Sequence, residues 1–583
     1  MRTIAGALID ALDDLGVRHV FGVGGANIEH VFDALHQRGA GRISSFLAKR
    51  EDGAAFMADG IARAYGTLGV CCCTSGGGMM NLAVGLAEAH NDGIPVLALV
   101  GQSPAVSDGL GAFQESTGRP GTVDAHGLLR SITKYTGRIT GSDDCWVQLR
   151  AALTAALSGR PGPAALLVPR DVFAAPAGPA PADWPAGLSE FAARQEVPPE
   201  PLREIFDALS RAVAPVLLLG PELRSSPDGD AVVAFARRAR IPVATSMSNR
   251  GDVDEDDPLY LGVVGVAGHP SVHRYLLEQA DLVVAAGSDL GFLTRGPILD
   301  LKPDRVVVIA HDGSVARRSA SADLVLEADA GRMFRALGDL LTAEPFQAPP
   351  FEYELRHYTP ELEVESVVPA EDSLLASEAI DLLGEYLRPG DRVLTDAGNC
   401  GAAAAHLITL PPGGRAFTAF GMGGMGYTVP AAIGMQLGAP SGRTVVMLGD
   451  GAFLMNGLEI HTAVELGLPI LYVVFNNAGH AMCASRQRQM FGGRIEGSLY
   501  HPVDVVSVAR GLGRPDDLWV GSAGALPELR ALLADYHAGH DDRPGVLELR
   551  LLRDEIPPMM PFVAADAPTH ALTGRRVRPG DRS

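Results

Sequence analysis

Thr444-Val445-Val446-Met447-Leu448-Gly449-Asp450-Gly451-Ala452 and Ile470-Leu471-Tyr472-Val473-Val474-Phe475-Asn476-Asn477 decide the fold of this chain. Thr444 to Leu448 is an unbroken apolar run of the length expected for a strand buried on both faces, and Ile470 to Phe475 is a second. Between them Asn456 to Leu466 reads as a helix, so the stretch is one βαβ unit. Parallel strands joined by a right-handed crossover end on the same edge of their sheet. Asp450 and Asn477 therefore arrive side by side at the carboxyl edge, where open α/β sheets bind ligands. A carboxylate and an amide oxygen suit Mg2+, which prefers six oxygen ligands and completes its shell from substrate phosphates and water. A diphosphate is the natural third partner.

The rest of the chain repeats this alternation. Its 583 residues are 47% hydrophobic and include 69 glycines and 41 prolines, a composition that suits several α/β units joined by tight turns. An Ala/Pro-rich stretch over 171–200 and a Pro/Glu-richer one over 343–372 divide it. The expected architecture is α/β, with three doubly wound parallel-sheet domains over 1–175, 190–345 and 370–555 and a C-terminal tail over 556–583. Val17 to Gly22, Val70 to Cys73, Pro95 to Val100 and Ala164 to Val168 read as strands of the first domain. Val216 to Gly220 and Leu282 to Gly287 read as strands of the middle, Rossmann-like domain, entering ligand-type turns.

Charge and cysteine usage narrow the function. With 48 basic and 69 acidic residues the net charge is −21, which disfavours nucleic acid and anionic membrane as partners. Six cysteines show no zinc spacing, and Cys71-Cys72-Cys73 lie together in an apolar strand, as reduced buried thiols do. The expected location is the cytoplasm. Ile4, Leu8, Leu12 and Leu15 have helical spacing with acids between them, unlike a signal peptide, and no apolar run is long enough to span a bilayer.

Three further segments carry chemistry. Glu51 opens the small-residue helix Asp52-Gly53-Ala54-Ala55-Phe56-Met57-Ala58-Asp59-Gly60-Ile61-Ala62-Arg63-Ala64-Tyr65-Gly66; by itself it reads as an acid complementing a helix dipole. Thr74-Ser75-Gly76-Gly77-Gly78-Met79-Met80-Asn81 follows a buried strand, either as a flexible βα turn or as backbone approaching a ligand. Gly421-Met422-Gly423-Gly424-Met425-Gly426-Tyr427-Thr428-Val429-Pro430-Ala431-Ala432 is a Gly-rich turn carrying a methionine, a residue that often fills gaps.

Taken together these motifs resemble the thiamine diphosphate-dependent enzymes, whose cofactor signature is GDG followed by NN. The resemblance implies that Asp450, the Asn477 side chain and the Gly479 carbonyl hold Mg2+. Gly449, Asp450, Gly451 and Ala452 would border the cofactor's diphosphate. Glu51 matches the glutamate that hydrogen-bonds the aminopyrimidine and activates C2 of the thiazolium. Met425 matches the residue that wedges the two cofactor rings into a V, and the Gly423 carbonyl matches the acceptor for the 4′-amino group. Because Glu51 and Asp450 lie in different domains, the family pattern implies a homodimer or homotetramer with shared sites.

Gly101-Gln102-Ser103-Pro104, Gly111-Ala112-Phe113-Gln114-Glu115 and Ile132-Thr133-Lys134 are similar to segments of the acetohydroxyacid (acetolactate) synthases, in the same order. That group's pattern implies that Phe113 and Gln114 line the substrate pocket; the bland alternative is a loop packing one ring and exposing one amide. The implied reaction is decarboxylation of a 2-keto acid such as pyruvate and transfer of the acyl-carbanion unit to a carbonyl acceptor. The departures are Arg170 where a synthase usually has lysine, Ser485-Arg486-Gln487 where it has a tryptophan, and a glycine triplet after Ser75 more like benzaldehyde lyase. A simple 2-keto acid decarboxylase, a benzaldehyde lyase-like enzyme and a non-catalytic regulatory protein of the same fold remain alternatives. His480 reads as a solvated loop residue or as a proton relay beside the metal loop. FAD is doubtful, since Leu219-Gly220-Pro221-Glu222 is not a glycine phosphate cradle and Gly287-Ser288-Asp289-Leu290-Gly291-Phe292-Leu293 lacks the synthases' arginines.

Overall fold

The computed structural model describes residues 2–39, 42–192, 196–295, 305–317, 322–353, 361–362, 373–439, 441–552 and 555–559. The expected C-terminal tail beyond Met559 lies outside the described residues. The first sheet contains β1 (His19–Gly22), β2 (Ser44–Leu47), β3 (Gly69–Cys73), β4 (Val96–Gln102), β5 (Tyr135–Arg138) and β6 (Ala164–Pro169) in the order β2-β1-β3-β4-β6-β5. All its neighbours are parallel.

A second parallel sheet contains β7 (Pro215–Leu219), β8 (Val243–Ser246), β9 (Tyr260–Val264), β10 (Leu282–Ala286), β11 (Arg305–Ala310) and β12 (Leu324–Glu327). Its order, β12-β11-β10-β7-β8-β9, is the Rossmann arrangement. β13 (Glu361–Leu362) precedes a third sheet made of β14 (Arg392–Thr395), β15 (Arg415–Phe417), β16 (Thr444–Gly449), β17 (Ile470–Asn476), β18 (Trp519–Ala523) and β19 (Gly545–Arg550). The order β15-β14-β16-β17-β19-β18 repeats the topology of the first sheet strand for strand. β20 (Glu555–Ile556) pairs antiparallel with β13. The three doubly wound parallel sheets expected from the sequence are therefore present. Strand interiors such as Val70-Cys71-Cys72-Cys73 and Val216-Leu217-Leu218-Leu219 are buried throughout, as sheets covered on both faces require.

Contacts gather the chain into two compact units: Met1–Arg194 with Ala419–Ala439 and Asn456–Leu468, and Gln195–Thr418 with Pro440–Met455 and Pro469–Ser583. In the first unit, helix Glu51–Tyr65 packs along helix Thr428–Gly438. Contact is backbone to backbone: a Cβ on Gly60 would fall 2.3 Å from the Ala431 carbonyl, and one on Gly434 would fall 2.0 Å from that of Met57. The Ala/Pro-rich stretch joins the same core, with Trp184 stacked edge-on against Trp146 and Phe191.

One expected element is placed differently. The helix after β16 begins at Asp450 itself, not at Asn456: Asp450–Asn456 is helical, Gly457–Glu459 forms one 3-10 turn, and Ile460–Leu466 resumes the α-helix. Gly-Asp-Gly reads as a turn by composition, but here the helix takes over directly from the strand. Among the described residues no helix is long and apolar enough to cross a membrane.

Candidate active site

In the first unit the order of strands reverses between β1 and β3, and the chemistry gathers at the ends of these strands. Thr74-Ser75-Gly76 leaves β3, and Gly77 already begins helix Gly77–Asp92. The segment is therefore a helix entry, not a loose turn. Gly76 adopts φ 65°, where a side chain would be strained. Asn27, in the loop after β1, donates its amide to Ser75 Oγ at 2.7 Å.

Glu51 starts its helix beside this entry and accepts a hydrogen bond from Asn81 Nδ2 at 2.9 Å. Glu459, buried and contributed by the 3-10 turn, accepts the Lys49 amide at 3.0 Å on both oxygens and the Thr462 hydroxyl at 2.7 Å. Burial pushes its carboxyl above the ordinary value. Gln114 lies over the same entry, with Thr74 Oγ1 donating to its Oε1 at 3.3 Å. Its φ of 59° is unusual for a residue other than glycine and marks a backbone held by its surroundings. Phe113 is 81% exposed, so most of its ring surface is open to solvent and not packed in the core. Lys134 donates to the carbonyls of Ser158 and Arg160, both at 2.6 Å, and is a structural residue.

Gly421 to Tyr427 belongs to the same unit and forms a strap ahead of helix Thr428–Gly438. Gly423, at φ 64°, is exposed, Met425 is half-buried, and Asn456 Nδ2 donates to the Gly426 carbonyl at 3.3 Å.

In the second unit the strand order reverses between β14 and β16, which places Asp396 and Asp450 at adjacent strand ends. The amide ends of helices Asn399–Leu407 and Asp450–Asn456 open on this edge, a backbone arrangement that anions favour. Asp450 is 1% exposed; its Oδ1 accepts the Gly451 amide at 2.9 Å, whereas its buried Oδ2 has no hydrogen bond. Burial raises the Asp450 carboxyl, against the pull of the Tyr500 hydroxyl and the amides of Gly451, Ala478 and Gly479. The Tyr500 hydroxyl is itself a buried atom without hydrogen-bond geometry to any partner. A buried carboxylate oxygen without a hydrogen bond of its own is costly even with these dipoles near it, and a divalent cation would satisfy it. The donor set fits Mg2+.

The two asparagines at the end of β17, Asn476 within the strand and Asn477 just beyond it, differ in their surroundings. Asn476 is buried and donates to the Val503 carbonyl at 2.9 Å and to Glu548 at 2.7 Å, which locks the strand end. Asn477 is half-buried beyond it, followed by Ala478 at φ 55° and by Gly479. His480 is not a solvated loop residue: its ring stacks edge-on to Tyr500 at 5.4 Å, and a Cβ on Gly451 would fall 2.7 Å from it. Arg170 is exposed at the start of the short helix after β6.

Sequence reading overlooked Glu459, Tyr500 and the Asp396 loop, and it quoted Asn81 without assigning it the bond to Glu51. Glu459 left one usable signal, an acid inside the apolar crossover of the βαβ unit. Tyr500 left none, since its place beside Asp450 depends on a return of the chain that pairs Gly479 with Leu499.

Known proteins match this arrangement. Residues 2–120 match the family model of the thiamine pyrophosphate enzyme N-terminal TPP binding domain, 202–337 that of the central domain and 396–548 that of the C-terminal TPP binding domain. The chain is 30% identical over 523 residues to the acetolactate synthase large subunit of Parasynechococcus marenigrum, covering 88% of this chain and 83% of that protein. It is also 30% identical over 573 residues to the probable acetolactate synthase large subunit of Methanocaldococcus jannaschii, covering 96% and 93% of the two chains. Acetolactate synthase isozyme 2 large subunit of Escherichia coli is 30% identical over 512 residues, covering 87% and 89%. With all three domain models matched in order along sheets of the expected topology, this chain belongs to the thiamine pyrophosphate enzyme family.

Proposed function

We propose that this enzyme is a thiamine diphosphate- and Mg2+-dependent carboligase of the acetolactate synthase type, which decarboxylates a 2-keto acid, pyruvate above all, and transfers the two-carbon unit to a carbonyl acceptor. The observation that carries the reading is the buried, unpartnered Oδ2 of Asp450 at the switch point of the third sheet. Asp450, the Asn477 amide and the Gly479 carbonyl would hold the metal, while the backbone of Gly449, Gly451 and Ala452 would border the diphosphate. Bound thiamine diphosphate supplies an acidic ring carbon that becomes a nucleophile and an electron sink for decarboxylation. Glu51 would hold or exchange a proton at the aminopyrimidine, Gly423 and Met425 would orient its ring, and Gln114 would orient the acceptor.

The exposed Phe113 ring, with Val106 and Leu110 exposed on the same loop, supports a homodimer or homotetramer whose subunits complete each other's sites. A monomer is then inactive; unchanged turnover per chain after dilution into monomers would contradict this. Six unbridged cysteines suit the cytoplasm, and the −21 charge suits small-molecule rather than nucleic-acid or membrane partners. Against a resident FAD, the first middle-domain turn is closed: a Cβ on Gly220 would fall 2.3 Å from the Gly287 carbonyl, and Glu222 accepts the His311 amide there at 2.8 Å. That turn lacks the open backbone donors a dinucleotide pyrophosphate uses. Flavin absorbance in the purified protein would overturn this part.

The deciding experiment incubates the enzyme with thiamine diphosphate, Mg2+, labelled pyruvate and a panel of acceptors, with products identified by NMR. Labelled acetolactate is expected. An acyloin instead would indicate a benzaldehyde lyase-like carboligase, and free acetaldehyde a decarboxylase. Absence of any thermal shift with cofactor and metal would mark a non-catalytic relative.

A further inference from the structure

The strap from Gly421 to Tyr427 is tied at both ends to one buried ionic cluster. At its start, Glu88 of helix Gly77–Asp92, 2% exposed, accepts the Gly421 amide on Oε1 at 2.8 Å and the Met422 amide on Oε2 at 2.9 Å. Asn91, on the same helix, donates to the Gly421 carbonyl at 3.0 Å. The fit excludes any side chain at 421, because a Cβ there would fall 2.8 Å from both Asn91 Cβ and Asp92 Oδ1. At the far end the Tyr427 hydroxyl bonds to Asp59 and accepts from Arg63 Nε at 3.1 Å. Arg63 in turn bridges Asp59 at 2.8 Å and Asp92 at 2.7 Å. Between these anchors Gly423 and Gly424 have open space where a side chain would stand.

In this cluster the Arg63 guanidinium pairs with Asp59 and Asp92, and Glu88 lies within reach of its charge and of theirs. A carboxylate accepts two amides at once, whereas a carboxylic acid turns an O–H toward one of them. We propose that Glu88 is a positioning residue for thiamine diphosphate, fixing the strap through its two amide bonds when ionised and loosening it when protonated. This rests on the reading that Gly423 and Met425 grip the aminopyrimidine. Burial and the like charge of Asp92 push the Glu88 carboxyl up to about 7, against the pull of Arg63 and the Met422 amide. The grip is therefore complete above neutral pH and lost as pH falls through that value.

The test uses the full-length enzyme with saturating Mg2+. Thiamine diphosphate affinity is titrated from about pH 6 to about pH 8.5 for wild type, Glu88→Gln and Asn91→Ala, and exchange of the Gly421 and Met422 amides is followed in ligand-free protein, corrected for intrinsic rates. Wild-type affinity and amide protection should both fall with acidification. Glu88→Gln should bind about tenfold more weakly at high pH and lack the wild-type acid limb. Asn91→Ala, which removes a grip that does not titrate, should weaken binding and keep that limb. Glu88→Gln retaining the wild-type pH dependence, or equal protection of the two amides in both proteins, overturns the inference alone. A wild type that binds no thiamine diphosphate at any pH overturns the cofactor reading as well.

Discussion

The Cβ that any residue other than glycine would carry at position 78 falls 3.0 Å from Oε1 of Glu51. Helix Gly77–Asp92 thus approaches the glutamate closely enough to fix its carboxylate from one side, while Asn81 on the same helix holds Oε2. A methyl group at 78 would have to displace Glu51, and misplacing an activating group by a fraction of an ångström is costly. Gly78→Ala should lower kcat by about ten- to a hundredfold with little change in thermal midpoint. Glu51→Gln should slow exchange of the cofactor C2 proton by about a hundredfold or more while thiamine diphosphate stays bound. Near-normal exchange in that variant, read by NMR, would defeat the assignment.

Asp450 offers a test by metal removal. The side chain is buried with one oxygen unpartnered, so in metal-free protein Asp450→Asn should leave the thermal midpoint unchanged or raise it by about a degree or two. The stabilisation that Mg2+ and thiamine diphosphate confer together on the wild type should vanish in the variant. Differential scanning with and without EDTA distinguishes these outcomes; a variant still stabilised by Mg2+ with cofactor would exclude Asp450 as a ligand.

Acid stability of the middle domain should depend on Asp329. Burial works to raise its carboxyl, but bonds with His311 and Ser226 and with the Arg332 amide outweigh this and hold it at about 2. A depressed carboxyl contributes stability that is present above its unfolded value and lost as pH falls through the folded one. Asp329→Asn, which also weakens the N-cap of helix Ala330–Ala343, should cost about 1 kcal/mol near neutrality. The penalty should shrink between about pH 4 and about pH 2. Urea titrations of the two proteins across that range measure it, and a penalty independent of pH would count against the ionised cap.

Thiol labelling should be sharply selective. Burial raises Cys71 and Cys73 and pushes Cys72 and Cys400 up to about 12, and Cys145 is buried too, whereas Cys483 is partly exposed. A maleimide at neutral pH should modify Cys483 in native protein and all six thiols after denaturation. Rapid native labelling within 71–73 would contradict the fully buried third strand.

Much of the fold was legible because its strands are local signals. Apolar runs of five or six residues bounded by glycine, such as Thr444 to Leu448, have few other ways to be buried, and their ends were found to within a residue or two. The helix that begins at Asp450 was misplaced because Gly-Asp-Gly has turn composition, while the sheet edge makes it a helix entry. Arg250 escaped notice altogether: its guanidinium is buried against the carbonyls of Ala404, Ala405 and Ile408 and against Glu255. Nothing near Ser248-Asn249-Arg250-Gly251 in the chain announces partners that far away.

By itself the sequence determined the sheet architecture and the family, and it brought Asp450 and Asn477 forward as a candidate pair, since periodicity and the spacing of these two residues depend on neighbours along the chain. Only the tertiary structure decided that Asn476 is a strut while Asn477 lies half-buried beyond it, that Gly78 is small to make room for Glu51, and that Glu88 grips the strap at Gly421 and Met422. These are contacts between segments tens to hundreds of residues apart, where space, burial and the count of hydrogen-bond donors are fixed by packing and leave no trace in local pattern.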